Sequence, residues 1–245
     1  MKSVPPVNKV TGYGTGNVYI IEDEDELVLI DTGVPQDYML LVDRIKSLGR
    51  SPVEVAHIFL THFHVDHAGS AAAFRRLSHC SVYAHEADVP FIQGDDSISS
   101  IYPKGVLGRA ASLVPVAMAA LTRVPPVEVS VPCVDGQVVG VLGGIRVIHA
   151  PGHTPGSCAY YWEEKGILFT GDAIINTYHV LTRPTIGFSC DFGEAARSVC
   201  SLVDTVEDEG IRMVCCGHGP VVEDYPKEKL LKIRGKLMKK VATSG

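Results

Sequence analysis

Two stretches of this chain share one grammar, and that grammar narrows the fold more than any other feature. NVYIIEDEDELVLIDTG (residues 17 to 33) and CAYYWEEKGILFTGD (residues 158 to 172) each run from an apolar segment through a charged turn into a second apolar segment. The first ends in Asp31 and Gly33, the second in the pair Gly171 and Asp172. Short apolar runs separated by a charged turn are the signature of a β-hairpin. A helix-period pattern follows each hairpin. Residues 36 to 48 put Leu41, Ile45 and Leu48 on one side, and residues 192 to 206 put Ala195, Val199, Leu202 and Val206 on one side. Asp191, with Glu194 three residues later, reads as a helix N-cap and its capping-box partner. The repeat is a weak internal duplication. It predicts two β-rich halves, each covering one sheet face with helices.

Between and after the hairpins, VEVAHIFLT (53 to 61) reads as a buried strand and AGSAAAFRRLSH (68 to 79) as a helix. IRVIHAPG (145 to 152) and IRMVCCGHGP (211 to 220) read as strands running into turns. The tail from 225 to 240 reads as a basic amphipathic helix whose charges form a solvated face. Residues 88 to 130 interrupt the regular pattern. Their apolar part, Val106 to Val124, suits a helix packed on the body, a dimer element, or a lid over a site, and these alternatives stay open.

Size and charge bound the function. A chain of 245 residues can bury a sizeable core, and 46% hydrophobic with 20% charged residues suits a globular protein. The expectation is one domain over residues 1 to 245, with 88 to 130 inserted. A formal net charge of −6 argues against a general binder of nucleic acid or membrane surfaces. The apolar stretch from Val106 is broken by Arg109, Pro115 and Arg123, so it is no convincing membrane span. MKSVPPVNKV lacks the apolar core of a secretory signal. The cysteines number seven, with no CxxC pair, which suits free thiols in a reducing compartment. The expectation is a cytoplasmic protein with a small-molecule substrate, no nucleic-acid or membrane partner, and a homodimer as an open option.

The chemistry concentrates in LTHFHVDHAG, residues 60 to 69. In extended chain, residues i and i+2 share a face, so His62 and His64 point together. The following turn returns Asp66 and His67 toward the same place. Neutral imidazoles and a carboxylate are good ligands for Zn2+ and iron. Three more strand ends offer such groups: His153 in HAPGHTPGS, Asp172 in LFTGDA and His218 in CCGHGP. Glycines beside each let the backbone come close to a ligand. Other histidines read differently. His57 is structural and His149 belongs to the core or supports a ligand. His79 and His85 are surface or helix-end residues. His179, with Tyr178, follows the Asp172 loop and is a candidate for substrate contact. Cys158, Cys215 and Cys216 read as packing groups.

HxHxDH, a GH within a PGHTPG turn, TGD and GHGP, in that order, resemble the metallo-β-lactamase superfamily, as does Asp31 closing LVLIDTG. The resemblance runs from about residue 15 to 220. It implies an α+β fold, a four-layer αββα sandwich, with a two-metal site at one edge. By the same resemblance His62, His64 and His153 hold one metal, Asp66, His67 and His218 hold the other, and Asp172 bridges them. Asp31 is a buried supporting residue. Two Zn2+ ions are the implied cofactors, with iron or manganese as alternatives. Two cations roughly 3.5–4 Å apart share a hydroxide whose parent water has a pKa brought near 7, and that hydroxide attacks an electrophilic centre. Asp66 then orients the nucleophile or carries a proton.

The resemblance also separates branches. The β-lactamases of the superfamily commonly carry Cys where Asp172 stands. Glyoxalase II enzymes share HxHxDH and the TPGHTPG turn but add a helical domain, whereas 27 residues follow His218 here. Acyl-homoserine lactonases usually carry Tyr where Ile175 stands. Flavodiiron proteins have Glu at the position of His64, and the processing nucleases add RNA-binding parts. The expectation is a binuclear metal-dependent hydrolase acting on an ester, lactone, thioester or phosphoester of a small molecule. The alternative is a mononuclear iron sulfur dioxygenase resembling the persulfide dioxygenases.

Overall fold

The computed structural model describes residues 7–13, 16–96, 124–184, 188–206 and 210–243. The chain divides into two compact units, Met1–Cys133 and Val134–Gly245. These match the two halves expected from the repeated hairpins. Both are sheets covered by helices, so the architecture is α+β.

The first unit is built on a six-stranded sheet in chain order, β1 (Val7–Thr11), β2 (Asn17–Asp23), β3 (Glu26–Ile30), β4 (Val55–Phe59), β5 (Ser81–His85) and β6 (Val131–Cys133). The first three strands pair antiparallel, and β3 through β6 run parallel. The expected first hairpin is β2–β3, paired from Tyr19 opposite Ile30 to Asp23 opposite Glu26. Parallel neighbours require a crossover, and helices supply it. α1 (Tyr38–Ser47) joins β3 to β4, and α2 (Val65–Ala68) with α3 (Ala71–Ser78) joins β4 to β5. Leu41, Val42 and Ile45 of α1 and Phe74 of α3 pack with Val18, Ile20, Leu27 and Leu29 in one apolar core. The alternate residues Tyr19, Ile21, Val28 and Ile30 are buried too, as strands with two covered faces require.

Residues 88 to 130 are described at their two ends. α4 (Val89–Gln93) buries Phe91 and Ile92, and Val127 and Val129 are buried, all in the first unit's core. The ends of the expected insertion are therefore core elements. The rest of the apolar stretch, 106 to 123, lies outside the described residues.

The second unit begins with four strands of one sheet, β7 (Val138–Val139), β8 (Ile145–His149), β9 (Cys158–Trp162) and β10 (Ile167–Gly171). A separate hairpin follows, β11 (Ile175–Thr177) with β12 (Val180–Thr182). The fifth strand of the sheet is β13 (Met213–Cys216), and the order across it is β13-β10-β9-β8-β7. Its β10–β13 pair is parallel and the other three pairs are antiparallel. α5 (Phe192–Val206) spans the residues its apolar period marks and buries Ala195, Val199, Leu202 and Val206. Asp191 caps it, its carboxylate accepting the Glu194 N–H at 2.8 Å. The basic tail is α6 (Pro226–Thr243), which buries Leu230, Ile233 and Leu237 against this core. Among the described residues no helix is long and apolar enough to cross a membrane.

Candidate metal centre

The first unit presents its ligand-type residues just past the end of β4. His62 and His64 share a face, as extended chain dictates, with His62 Nε2 3.1 Å from His64 Nδ1. The helix expected to begin after this motif begins inside it. His64 is the N-cap of α2, so Asp66 and His67 sit on a short helical turn. Thr32 explains why. Its N–H and its hydroxyl both donate to the His67 carbonyl, at 2.6 and 2.9 Å, and its Oγ accepts the Ser70 N–H at 3.2 Å. The loop after β3 thereby fixes where one helix stops and the next starts. The sequence pattern alone does not carry that non-local clamp.

Asp31 orders the rings. It is 2% exposed, and its carboxylate accepts the Thr61 N–H at 2.8 Å and the Thr61 hydroxyl at 2.8 and 3.1 Å. Its Oδ2 also lies 2.8 Å from His67 Nδ1. An ionised carboxylate only accepts, so Nδ1 of His67 carries the proton and Nε2 keeps its lone pair. Thr61 has one hydroxyl hydrogen, and Asp31 takes it. Its oxygen, 3.0 Å from His62 Nδ1, is then an acceptor, which leaves His62 Nε2 with its lone pair as well. One buried carboxylate thus sets both imidazoles in the tautomer that a metal ligand needs. Asp66 Oδ2 stands 3.7 Å from His67 Nε2.

In the second unit three loops converge on Asp172, which follows β10 and is 9% exposed. Its Oδ2 lies 3.5 Å from His153 Nε2 and 3.3 Å from His218 Nε2. The His153 turn is pinned to the start of α5. The Cys190 N–H donates to the His153 carbonyl at 3.1 Å, the Asp191 N–H to the Gly152 carbonyl at 2.8 Å, and the Ser198 hydroxyl to the Pro151 carbonyl at 2.7 Å. Ser189 Oγ lies 3.4 Å from His153 Nδ1, on the ring edge away from Nε2. Gly217 is needed where it stands, because a Cβ there would overlap Asp172 Oδ1. Cys216 beside it has its thiol pushed up to about 12 by complete burial, with the negative charge of Asp172 adding to the effect. It is a neutral packing group, as expected of it.

His62, His64, Asp66 and His67 in the first unit, and His153, Asp172 and His218 in the second, all belong to groups able to hold an ion. Imidazole nitrogens with lone pairs set outward, together with carboxylate oxygens, form a donor set that fits Zn2+ or iron. The preponderance of nitrogen in it suits these ions better than a hard cation, which prefers a cage of oxygens.

Other residues fall elsewhere. His57 lies in β4 beside Tyr83 Oη at 3.2 Å and Glu26 at 3.3 Å, a structural place. His149 lies 2.9 Å through Nε2 from the Pro155 carbonyl and so supports the His153 turn. His79 is the exposed left-handed end of α3. His85, expected at a surface or helix end, is corrected in part. It does cap a short 3-10 turn, accepting the Ala87 N–H, but it is buried because it ends a strand paired on both sides. Tyr178 and His179 form the turn between β11 and β12, with φ of 49° and 66°. Tyr178 is 92% exposed. Positive φ at both turn positions is the mark of a type I′ hairpin, usually given to Asn or Gly. Thr61, Asp88 and Ser189 were not singled out by sequence reasoning. Asp88, fully buried, accepts the N–H of Phe63 between the two histidines at 3.0 Å.

Residues 11–218 match the metallo-beta-lactamase superfamily. The chain belongs to that superfamily. Among relatives, the "Probable metallo-hydrolase YflN" of Bacillus subtilis (strain 168) is 28% identical over 83% of this chain and 80% of its own length. The "Uncharacterized protein YobT" of the same organism is 33% identical over 64% of this chain and 61% of its own length. An "Atrochrysone carboxyl ACP thioesterase" of Aspergillus terreus is 25% identical over 96% of this chain and 60% of its own length. The chain thus spans about three-fifths of the last two. The metallo-beta-lactamase family protein TTHA1429 from Thermus thermophilus shares the fold, with a TM-score of 0.72 at 23% identity over 98% of this chain and 81% of its own. TTHA1623, solved in a di-iron-bound form, has a TM-score of 0.63 at 27% identity over 89% of this chain and 94% of its own. Metallo-beta-lactamase membership and the His and Asp sets together support a metal-dependent enzyme whose fold implies a divalent ion.

Proposed function

We propose that this protein is a binuclear metal-dependent hydrolase of ester-like bonds in small molecules, with thioesters as the first class to test. His62, His64 and His153 hold one ion, Asp66, His67 and His218 hold the other, and Asp172 serves both. The observation that carries this reading is the ring order imposed by Asp31 and Thr61, which turns two imidazole lone pairs outward. A purely structural histidine cluster has no need of that. The thioesterase named among the relatives supports a thioester, and the di-iron form of TTHA1623 keeps iron beside zinc as a candidate metal.

Bound divalent ions would lower the pKa of water toward neutrality and polarise the acyl oxygen. The protein's own residues supply the rest. Asp66, the partly exposed carboxylate of the set, accepts the proton of the attacking water and returns it to the departing alkoxide or thiolate. Asp172, held between His153 and His218, keeps its loops in register. Tyr178 and His179, on their exposed turn after Asp172, contact the substrate.

Metal analysis of protein purified without added metal, followed by a screen of thioesters, lactones, phosphodiesters and β-lactams, tests this. Two ions per chain, product formation without oxygen, and arrest by a chelator are expected. One iron per chain with oxygen consumed on a persulfide would establish the dioxygenase instead.

A further inference from the structure

We propose that Asn176 is a positioning residue that fixes the His218 loop for its metal; this rests on His218 being a ligand. Asn176 lies in β11, four residues after Asp172, and is 4% exposed. Its backbone N–H donates to the His218 carbonyl at 3.0 Å, and its side-chain Nδ2 donates to the Pro220 carbonyl at 2.7 Å. Between those two carbonyls Gly219 adopts φ of 88°, and a Cβ there would overlap the Asn176 carbonyl oxygen. Three successive residues of the GHGP turn are therefore registered against one asparagine.

The other side of the same turn is held separately. The Gly217 N–H donates to the Gly171 carbonyl at 2.8 Å. His218 is thus pinned upstream to the residue before Asp172 and downstream to the fourth residue after it. Both restraints refer the imidazole to the Asp172 segment, and the 3.3 Å between His218 Nε2 and Asp172 Oδ2 is the result.

The amide's own balance argues that this is more than packing. Nδ2 is satisfied, but Oδ1 is buried without a hydrogen-bond partner among the described residues. A buried unpaired acceptor works against stability, and an apolar side chain of the same shape would avoid it. Leucine has the same branched shape, with two methyl groups in place of the amide oxygen and nitrogen. A residue kept only for packing gains nothing from the amide, whereas a residue that must hold Pro220 does.

Asn176→Leu removes the Pro220 bond and the unpaired oxygen but keeps the backbone bond to His218. Metal-stripped protein is titrated with zinc against a chromophoric chelator, and thermal unfolding is followed on the same sample. The expected result is an apparent Tm close to native, with affinity for one of two zinc equivalents lowered about 10–100-fold, the range for residues that orient metal ligands. Asn176→Asp, which sets an oxygen against the Pro220 carbonyl, should show the same loss and serves if the leucine variant does not fold. Native zinc affinity in both variants overturns the inference alone. Unfolding of both assigns Asn176 a structural role and overturns it too. If the native protein binds no zinc or iron, the metal-centre reading falls as well.

Discussion

Oδ2 of Asp31 lies 2.8 Å from Nδ1 of His67, a residue 36 positions further along the chain. Asp31 adopts φ of 60° to reach it, a left-handed conformation that Asp and Asn tolerate better than most residues. The backbone places the carboxylate beneath Thr61 and His67 at once, and the protein spends one buried charge on ordering two rings.

Asp31→Asn separates that charge from the backbone requirement. Asn accepts the same φ and leaves the loop in place. It cannot accept from Thr61 and His67 together with the strength of an ionised carboxylate, so the ring tautomers are released. Metal affinity is expected to fall about 10–100-fold. Competition with a chromophoric chelator measures it, and native affinity in this variant would refute the ordering role.

How much of this was legible in the sequence depended on how local each cause was. The hairpins β2–β3 and β9–β10 carry their alternation and turn within a few residues, and α5 carries its cap at Asp191 and its period in one stretch. The pairing of His62 with His64 follows from the two-residue repeat of extended chain. The start of α2 inside the motif did not show, because it depends on Thr32, which reaches the His67 carbonyl from another loop. Asp88 binds the Phe63 N–H across 25 residues, and an acidic residue before a short helix looks like any other. His85 reads as a surface or helix-end residue, and it does cap a turn, but its burial is decided by β4 and β6 on either side of its strand.

Gly217→Ala tests how tightly Asp172 is seated. The new methyl would overlap Asp172 Oδ1 and lie 2.8 Å from the Gly171 carbonyl carbon. Overpacking of this kind costs about 1–3 kcal/mol. A lowered Tm and a reduced metal content are expected together. A variant with native metal content and native Tm would show that the segment has room the structure does not display.

Asp88→Ala removes the acceptor of the Phe63 N–H while leaving that group buried. Loss of one partner from a buried hydrogen bond costs about 1–3 kcal/mol. Phe63 sits between His62 and His64, so weaker metal binding should accompany the lost stability. Urea unfolding with an unchanged midpoint would show that Phe63 finds another acceptor.

Alkaline pH should unfold the protein partly through Cys133 at the end of β6. Burial pushes its thiol from the ordinary 9.0 up to about 11, because the charged thiolate is poorly solvated there. Below pH 9 the thiol is neutral in both states and contributes no slope. Between 9 and about 11 the unfolded chain releases the proton while the folded chain keeps it, so the unfolded state binds fewer protons and stability falls as pH rises. Above that window both states are ionised and the contribution is flat again. Cys133→Ala should therefore start from a lower stability, since it leaves a small cavity, yet decline less steeply across the same window. Unfolding midpoints at constant ionic strength, from about pH 8 upward, decide it. Parallel declines for the native protein and the variant would place the alkaline sensitivity elsewhere, with the buried Cys80 thiol, also raised by burial, the next to test.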